Sequence, residues 1–167
     1  MTRRIWWTLY VMTMAVLIIA IVIVISKQKS PKERALEDYN YGIKLYDLHH
    51  YDEAIAQFKL AIMYNPHLVD AYYNIALAYE ERSYKEAADA WEKYLEVVKK
   101  ENAEKEAWDD VEVAKEHLAY CYYNLGISAE SSEEARHYLE KYVSMAEGMA
   151  GQEKFLDDAK KRLEELK

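Results

Sequence analysis

The segment ALEDYNYGIKLYDLHHYDEAIAQFKLAIMYNPHL, residues 35–68, is repeated in pattern by the stretch that begins at Val69. A period of 34 residues constrains this chain more than any other feature, because one such unit cannot bury its own apolar face and must stack on a neighbour. Tyr41-Gly42 falls opposite Ile75-Ala76, Leu45 opposite Tyr79, Asp38 opposite Tyr72 and Asn40 opposite Asn74. After a turn, Tyr51, Ala54, Phe58, Ala61 and Pro66 follow in the first copy. The second copy keeps Tyr84, Ala87, Trp91 and Tyr94, with one residue fewer in the turn and no proline.

Close packing accounts for these residue types. Gly42, Ala54 and Ala61 let neighbouring helix backbones approach, while Tyr51 and Phe58 fill the space between two helices. Pro66 has no amide hydrogen and clashes with the preceding helical turn, so it resets the chain for the next unit. On these residues the segment resembles the tetratricopeptide repeat family, whose unit is two antiparallel helices. The resemblance implies an all-α fold, a short solenoid of about three helix-turn-helix units spanning 35–150.

The units are expected at roughly 35–68, 69–102 and 112–148. In the third, Leu118, Ala119, Tyr122 and Gly126 take first-helix positions, and Ala135, Leu139 and Tyr142 resume the second-helix pattern. Four extra residues around Ala129-Glu130-Ser131-Ser132 are expected to lengthen its turn, and Ser131 with Glu134 has the spacing of a capping box. Asn102 to Val111, with Trp108, extends this unit's first helix backward. Over 151–167, Phe155, Leu156, Ala159, Leu163 and Leu166 recur at helical spacing, the pattern of a capping helix that closes the open end of a repeat array.

Ahead of the repeats, residues 5–25 run for 21 positions without charge, Gly or Pro. At about 1.5 Å per residue such a helix spans roughly 30 Å, the thickness of a bilayer core. No small-residue cleavage site follows, and Trp6, Trp7 and Tyr10 sit where aromatic rings favour the headgroup layer. A single-pass transmembrane anchor over 1–26, followed by a basic juxtamembrane linker at 27–34, is therefore expected. Arg3 and Arg4 before the span nearly balance Lys27, Lys29, Lys32 and Arg34 after it. The short Arg-Arg tail suits a bacterial-type inner-membrane anchor with its domain outside the cytoplasm.

Charge divides the chain at the same place: residues 1–34 carry six Lys/Arg against one Glu, and the remainder 16 against 29, so +5 and −13 make up the formal charge of −8. An acidic domain repels nucleic acid, which excludes it as a partner. No Gly-rich phosphate loop, paired metal-binding cysteines or nucleophile elbow is present, so the sequence is that of a non-enzyme without cofactor or small-molecule substrate. His117 and Cys121, four apart on a helix, could offer two metal ligands on one face, but no further ligands lie near them in sequence. An unpaired Cys is more often a small buried hydrophobe, and no metal site is expected. His49-His50 fall in the first turn.

The 16 tyrosines are the compositional anomaly. About half occupy repeat-signature positions and serve packing. In tetratricopeptide arrays the first helices line a concave groove, and similarity in register places Tyr39, Asn40, Ile43 and Tyr46 there from the first unit. The second adds Tyr73, Asn74 and Leu77, and the third Tyr120 and Tyr123. Two fates are open to these side chains, contact with a partner segment or packing against one another and the capping helix. Some family members grip a terminal carboxylate with Lys, Asn and Arg on these faces. Here only Asn74 fits, because Tyr39, Ile43, Val113 and His117 stand where the other groups would be. The expected function is that of a membrane-anchored adaptor holding other protein subunits of a larger complex at the bilayer. The alternatives are a structural accessory subunit of a respiratory or electron-transfer complex and an assembly chaperone with clients in the groove.

Overall fold

The computed structural model of the chain describes residues 2–26, 28–101 and 108–166. Among them there are eight α-helices and no strand: α1 (Thr2–Ser26), α2 (Pro31–Asp47), α3 (Tyr51–Tyr64), α4 (Val69–Glu80), α5 (Tyr84–Lys100), α6 (Trp108–Ser128), α7 (Ser132–Ala146) and α8 (Glu153–Glu165). The fold is thus all-α. Hairpins α2–α3, α4–α5 and α6–α7 stack through α3 on α4 and α5 on α6, and α8 packs on α7. This is a short α-solenoid of stacked helical hairpins.

Helix α1 is long and apolar enough to cross a membrane, and none of its described side chains from Trp6 to Ile23 is buried. Helix α2 begins at Pro31, within the basic stretch 27–34. Ser30 caps it there. Its hydroxyl accepts from the Glu33 N–H at 3.2 Å while the Glu33 carboxylate accepts from the Ser30 N–H at 2.7 Å, a complete capping box with Pro31 in the first turn. These bonds hold the Glu33 carboxyl below its ordinary pKa. Lys29 then pairs with Glu37, pinning the linker to the helix. At α7 the Ser131 hydroxyl accepts from the Glu134 N–H at 3.1 Å, one half of the box expected there.

Small residues set the hairpin spacing. A Cβ on Gly42 would sit 2.6 Å from Phe58 Cε1, and Phe58 itself is fully buried. In the third unit the same contact joins Gly126 to Leu139, again at 2.6 Å. The sequence register had Ala119 in Gly42's position and the four extra residues in the turn. In the structure all three turns within hairpins have three residues, 48–50, 81–83 and 129–131, and α6 instead runs on to Ser128. Four residues make about one helical turn, so the insertion lengthens a helix without breaking its hydrogen bonds. Of the backward extension expected over 102–111, residues 102–107 lie outside the described residues, and Trp108 to Val111 form the start of α6.

Between units, one side of each first helix is repeated in kind. On α4, Ala71 and Ile75 join Ala54 and Phe58 of α3 in a buried cluster, and Ala78 is fully buried. The register equivalents on α6 are Ala114, Leu118 and Cys121, which join Trp91, Tyr94 and Val98 of α5. On α2 the same positions hold Glu37, Tyr41 and Lys44, all exposed around a surface hollow of about 750 Å³. That hollow is the place a preceding unit would occupy. Two charges there block further stacking, as the polar outer face of a terminal repeat must.

Cys121 therefore stands where Ala78 stands. Its packing explains it without any appeal to reactivity.

Replacing Gly42 or Gly126 with Ala forces a methyl into a buried ring or a buried Leu, and should destabilise by about 1–3 kcal/mol. Urea unfolding of the two variants checks this, and an unchanged midpoint would show that the hairpins are less closely packed than described.

Candidate partner-binding surface

The side of each first helix opposite its stacking face forms an inner surface. In the sequence register the positions recurring on this side are Leu36, Asp70, Val113; Tyr39, Tyr73, Glu116; Ile43, Leu77, Tyr120; Tyr46, Glu80, Tyr123; and Asp47, Glu81, Asn124. Seven of the nine residues singled out from sequence fall in these columns. Asn40 and Asn74 lie between these columns, one turn after Leu36 and Asp70 and one turn before Ile43 and Leu77.

Asn74 is used there. Its Nδ2 donates to Tyr39 Oη at 3.1 Å across the first interface and to the Asp70 carbonyl at 2.8 Å. Asn40 occupies the same register position at the open end of the array, exposed beside the 750 Å³ hollow. Asn74 is thus engaged within the array, while Asn40 is exposed.

Several of the tyrosines pack inward. Tyr39 lies 5.7 Å from the Phe58 ring centroid, and Tyr46 lies 5.4 Å from Tyr51. Tyr73 meets Trp91 and Tyr94 edge-on at 5.1 and 5.4 Å. Tyr123 contacts Tyr142 at 5.3 Å and Phe155 of α8 at 5.2 Å, and its hydroxyl donates to Asp158 at 2.8 Å. Burial holds the Tyr39, Tyr46, Tyr73 and Tyr123 hydroxyls above their ordinary pKa, helped by nearby carboxylates such as Asp70, Glu81, Asp110 and Asp158. Ile43 and Leu77 are half-buried against the two core clusters.

Tyr120 differs. It is 48% exposed, meets Tyr84 edge-on at 5.6 Å, and lies in line with Val113 and Ile127, each 38% exposed. Spacing by seven residues puts these three on one stripe of α6, about 21 Å from end to end. Val113 and Ile127 were not singled out as groove residues, although their sevenfold spacing around Tyr120 was visible in the sequence.

Sequence reasoning also missed Glu80. In its column Tyr46 and Tyr123 flank it, and that break in the tyrosine pattern was the available signal. Its carboxylate accepts from Trp91 Nε1 at 2.6 Å and bonds His117 Nδ1 at 2.9 and 3.0 Å, with Cys121 Sγ at 3.9 Å. The His117 ring stacks on Trp91 with centroids 5.0 Å apart. His117 thus repeats the work of Asn74, reaching back from one first helix to the one before. The bond to Glu80 raises its pKa. Burial, with Glu80 adding to it, pushes the Cys121 thiol up to about 12, so at neutral pH it is protonated and is neither nucleophile nor thiolate ligand. Among the described residues no group of three or more His, Cys, Asp or Glu could hold a metal ion.

On the outer side, a cleft of about 400 Å³ lies between α3 and α5, floored by Ile62, Ile75 and Ala90 and edged by Lys59, Lys93, Glu86 and Asp89. Lys59 is already engaged, donating to Tyr79 Oη at 2.9 Å and lying over its ring.

No family model and no curated protein matches the chain. Among solved structures, the crystal structure of PcrH from Pseudomonas aeruginosa aligns over 79% of this chain and 90% of its own, with 16% sequence identity and a TM-score of 0.37. The functional reading rests on this chain's own residues.

The Glu80–His117 pair gives stability a pH dependence of known sign. A raised histidine pKa means that the contribution is full below the unfolded value of about 6.5 and fades as pH climbs through the folded value. The gap in melting temperature between the native chain and His117→Asn should be wider near pH 6 than near pH 8.5. A gap that widens with rising pH would contradict the assignment.

Proposed function

We propose that this chain is a membrane-anchored tetratricopeptide adaptor, a non-enzymatic subunit that holds other proteins of a complex at the bilayer. The observation that carries the reading is the exposed apolar stripe Val113, Tyr120 and Ile127, set beside Tyr84 on a surface whose other aromatics are already braced from behind. Large apolar side chains held on a rigid helix lose little entropy when a partner covers them, and tyrosine supplies both area and a polar tip. Helix α1 supports attachment, since an all-round apolar rod with no buried side chain in its central window is suited to lipid.

Two measurements test this reading. With α1 in the bilayer, the chain should remain in the membrane pellet through alkaline carbonate and high salt, because lipid burial is not screened by ions. Recovery in the wash would remove the anchor from the proposal. Separately, Tyr120→Ala with Ile127→Ser should weaken copurification of native partners from mild detergent by about 1–2 kcal/mol or more while leaving the melting temperature in place. Undiminished copurification would move the contact to the outer cleft or to α1 and favour a structural accessory subunit.

A further inference from the structure

The inner surface is as distinctive in charge as in shape. Its columns carry Asp47, Asp70, Glu80, Glu81 and Glu116 and no lysine or arginine. Glu80 is engaged by Trp91 and His117, but Asp47, Asp70, Glu81 and Glu116 are not side chains of any ion pair among the described residues. All four are exposed. The cations lie elsewhere. Helix α4 has none, and the single Lys115 of α6 pairs with Glu112, whereas α5 and α8 each carry four Lys or Arg among their acids.

These carboxylates interleave with the apolar groups. Glu116 lies one turn before Tyr120, Asp70 shares a column with Val113, and Glu81 shares one with Asp47 beside Tyr46. Exposed carboxylates left unpaired around an apolar stripe raise the local concentration of cations and repel acidic chains, whereas the same acids dispersed among lysines would not. We infer that the inner surface takes a basic, amphipathic segment of a partner protein, its apolar side on Val113, Tyr120 and Ile127 and its Lys or Arg side chains against Asp47, Asp70, Glu81 and Glu116. This rests on the adaptor reading and specifies the partner's chemistry. Rim charges of this kind act mainly on association rate and selectivity, so binding should fall steeply with salt.

The test uses the full chain in nanodiscs of uncharged phosphatidylcholine. Two fluorescein-labelled peptides of about 16 residues are titrated, one of repeating Leu-Leu-Lys-Lys and the other of Leu-Leu-Glu-Glu, with empty nanodiscs as blank, a length matched to the span of α6. Anisotropy should show the lysine peptide binding and the glutamate peptide not. The triple variant Asp47→Asn, Asp70→Asn, Glu81→Gln should weaken the lysine peptide by about tenfold, and an equal neutralisation on α7 and α8, Glu133→Gln, Glu140→Gln, Asp157→Asn, by less than about twofold. Melting curves of both triples confirm that each is folded. Equal losses from the two triples would reduce the effect to bulk charge and overturn the inference, as would equal binding of both peptides or binding of neither. If Tyr120→Ala weakens the peptide while the inner triple does not, the adaptor surface stands and its basic specificity is refuted.

Discussion

Each first helix in this chain must lie against the hairpin before it, and that single demand orders the rest of the structure. Ala71 and Ala78 on α4, and Ala114 and Cys121 on α6, are small because the neighbouring backbone is close, while Ile75 and Leu118 between them supply the buried area. Polar side chains join neighbouring first helices: Asn74 reaches Tyr39, and His117 reaches Glu80. Both bonds are partly buried, where leaving a donor or acceptor unmatched would be expensive, so they fix register as well as adding stability. On α2 the same side carries Glu37 and Lys44, and the stack begins there. At the far end α8 closes it through Ala159, with Tyr142 Oη donating to Gln152 at 3.1 Å.

Function follows from what this arrangement leaves over. With one side of each first helix committed to stacking and a second to its own hairpin, the inner side is the one these helices leave for the proposed partner. Tyr39, Tyr73 and Tyr123 are held from behind by Phe58, Trp91 and Phe155, so the surface is rigid before anything binds. A preformed surface avoids most of the ordering entropy of association. In the binding proposed here, the exposed stripe on α6 would supply apolar area and the carboxylates around it selectivity.

Much of this was legible in the amino-acid sequence. Gly42, Ala54, Phe58, Trp91 and Tyr94 announced paired helices because close packing tolerates few substitutes at such positions. What escaped were features that depend on partners far apart in the chain. Asn74 reads as a free amide in a linear register, yet Tyr39 engages it from 35 residues away. Glu80 became a hub only because α6 brings His117 beside it from 37 residues away. The four extra residues were placed in the turn around Ala129-Glu130-Ser131-Ser132, whereas α6 continues to Ser128, whose hydroxyl bonds the Asn124 carbonyl at 2.7 Å. The capping box at Ser30 and Glu33 has its residues in the sequence at the right spacing and was not among the features read there.

The central claim is that partners are held on the inner side of the repeats. Photo-crosslinking in intact membranes tests it most directly, with a photoreactive phenylalanine analogue placed in turn at Tyr120 on the inner stripe and at Leu60 on the outer side of α3, where both side chains are exposed. The account predicts discrete crosslinked partners from position 120 and none from position 60. Crosslinks from position 60 alone would contradict it.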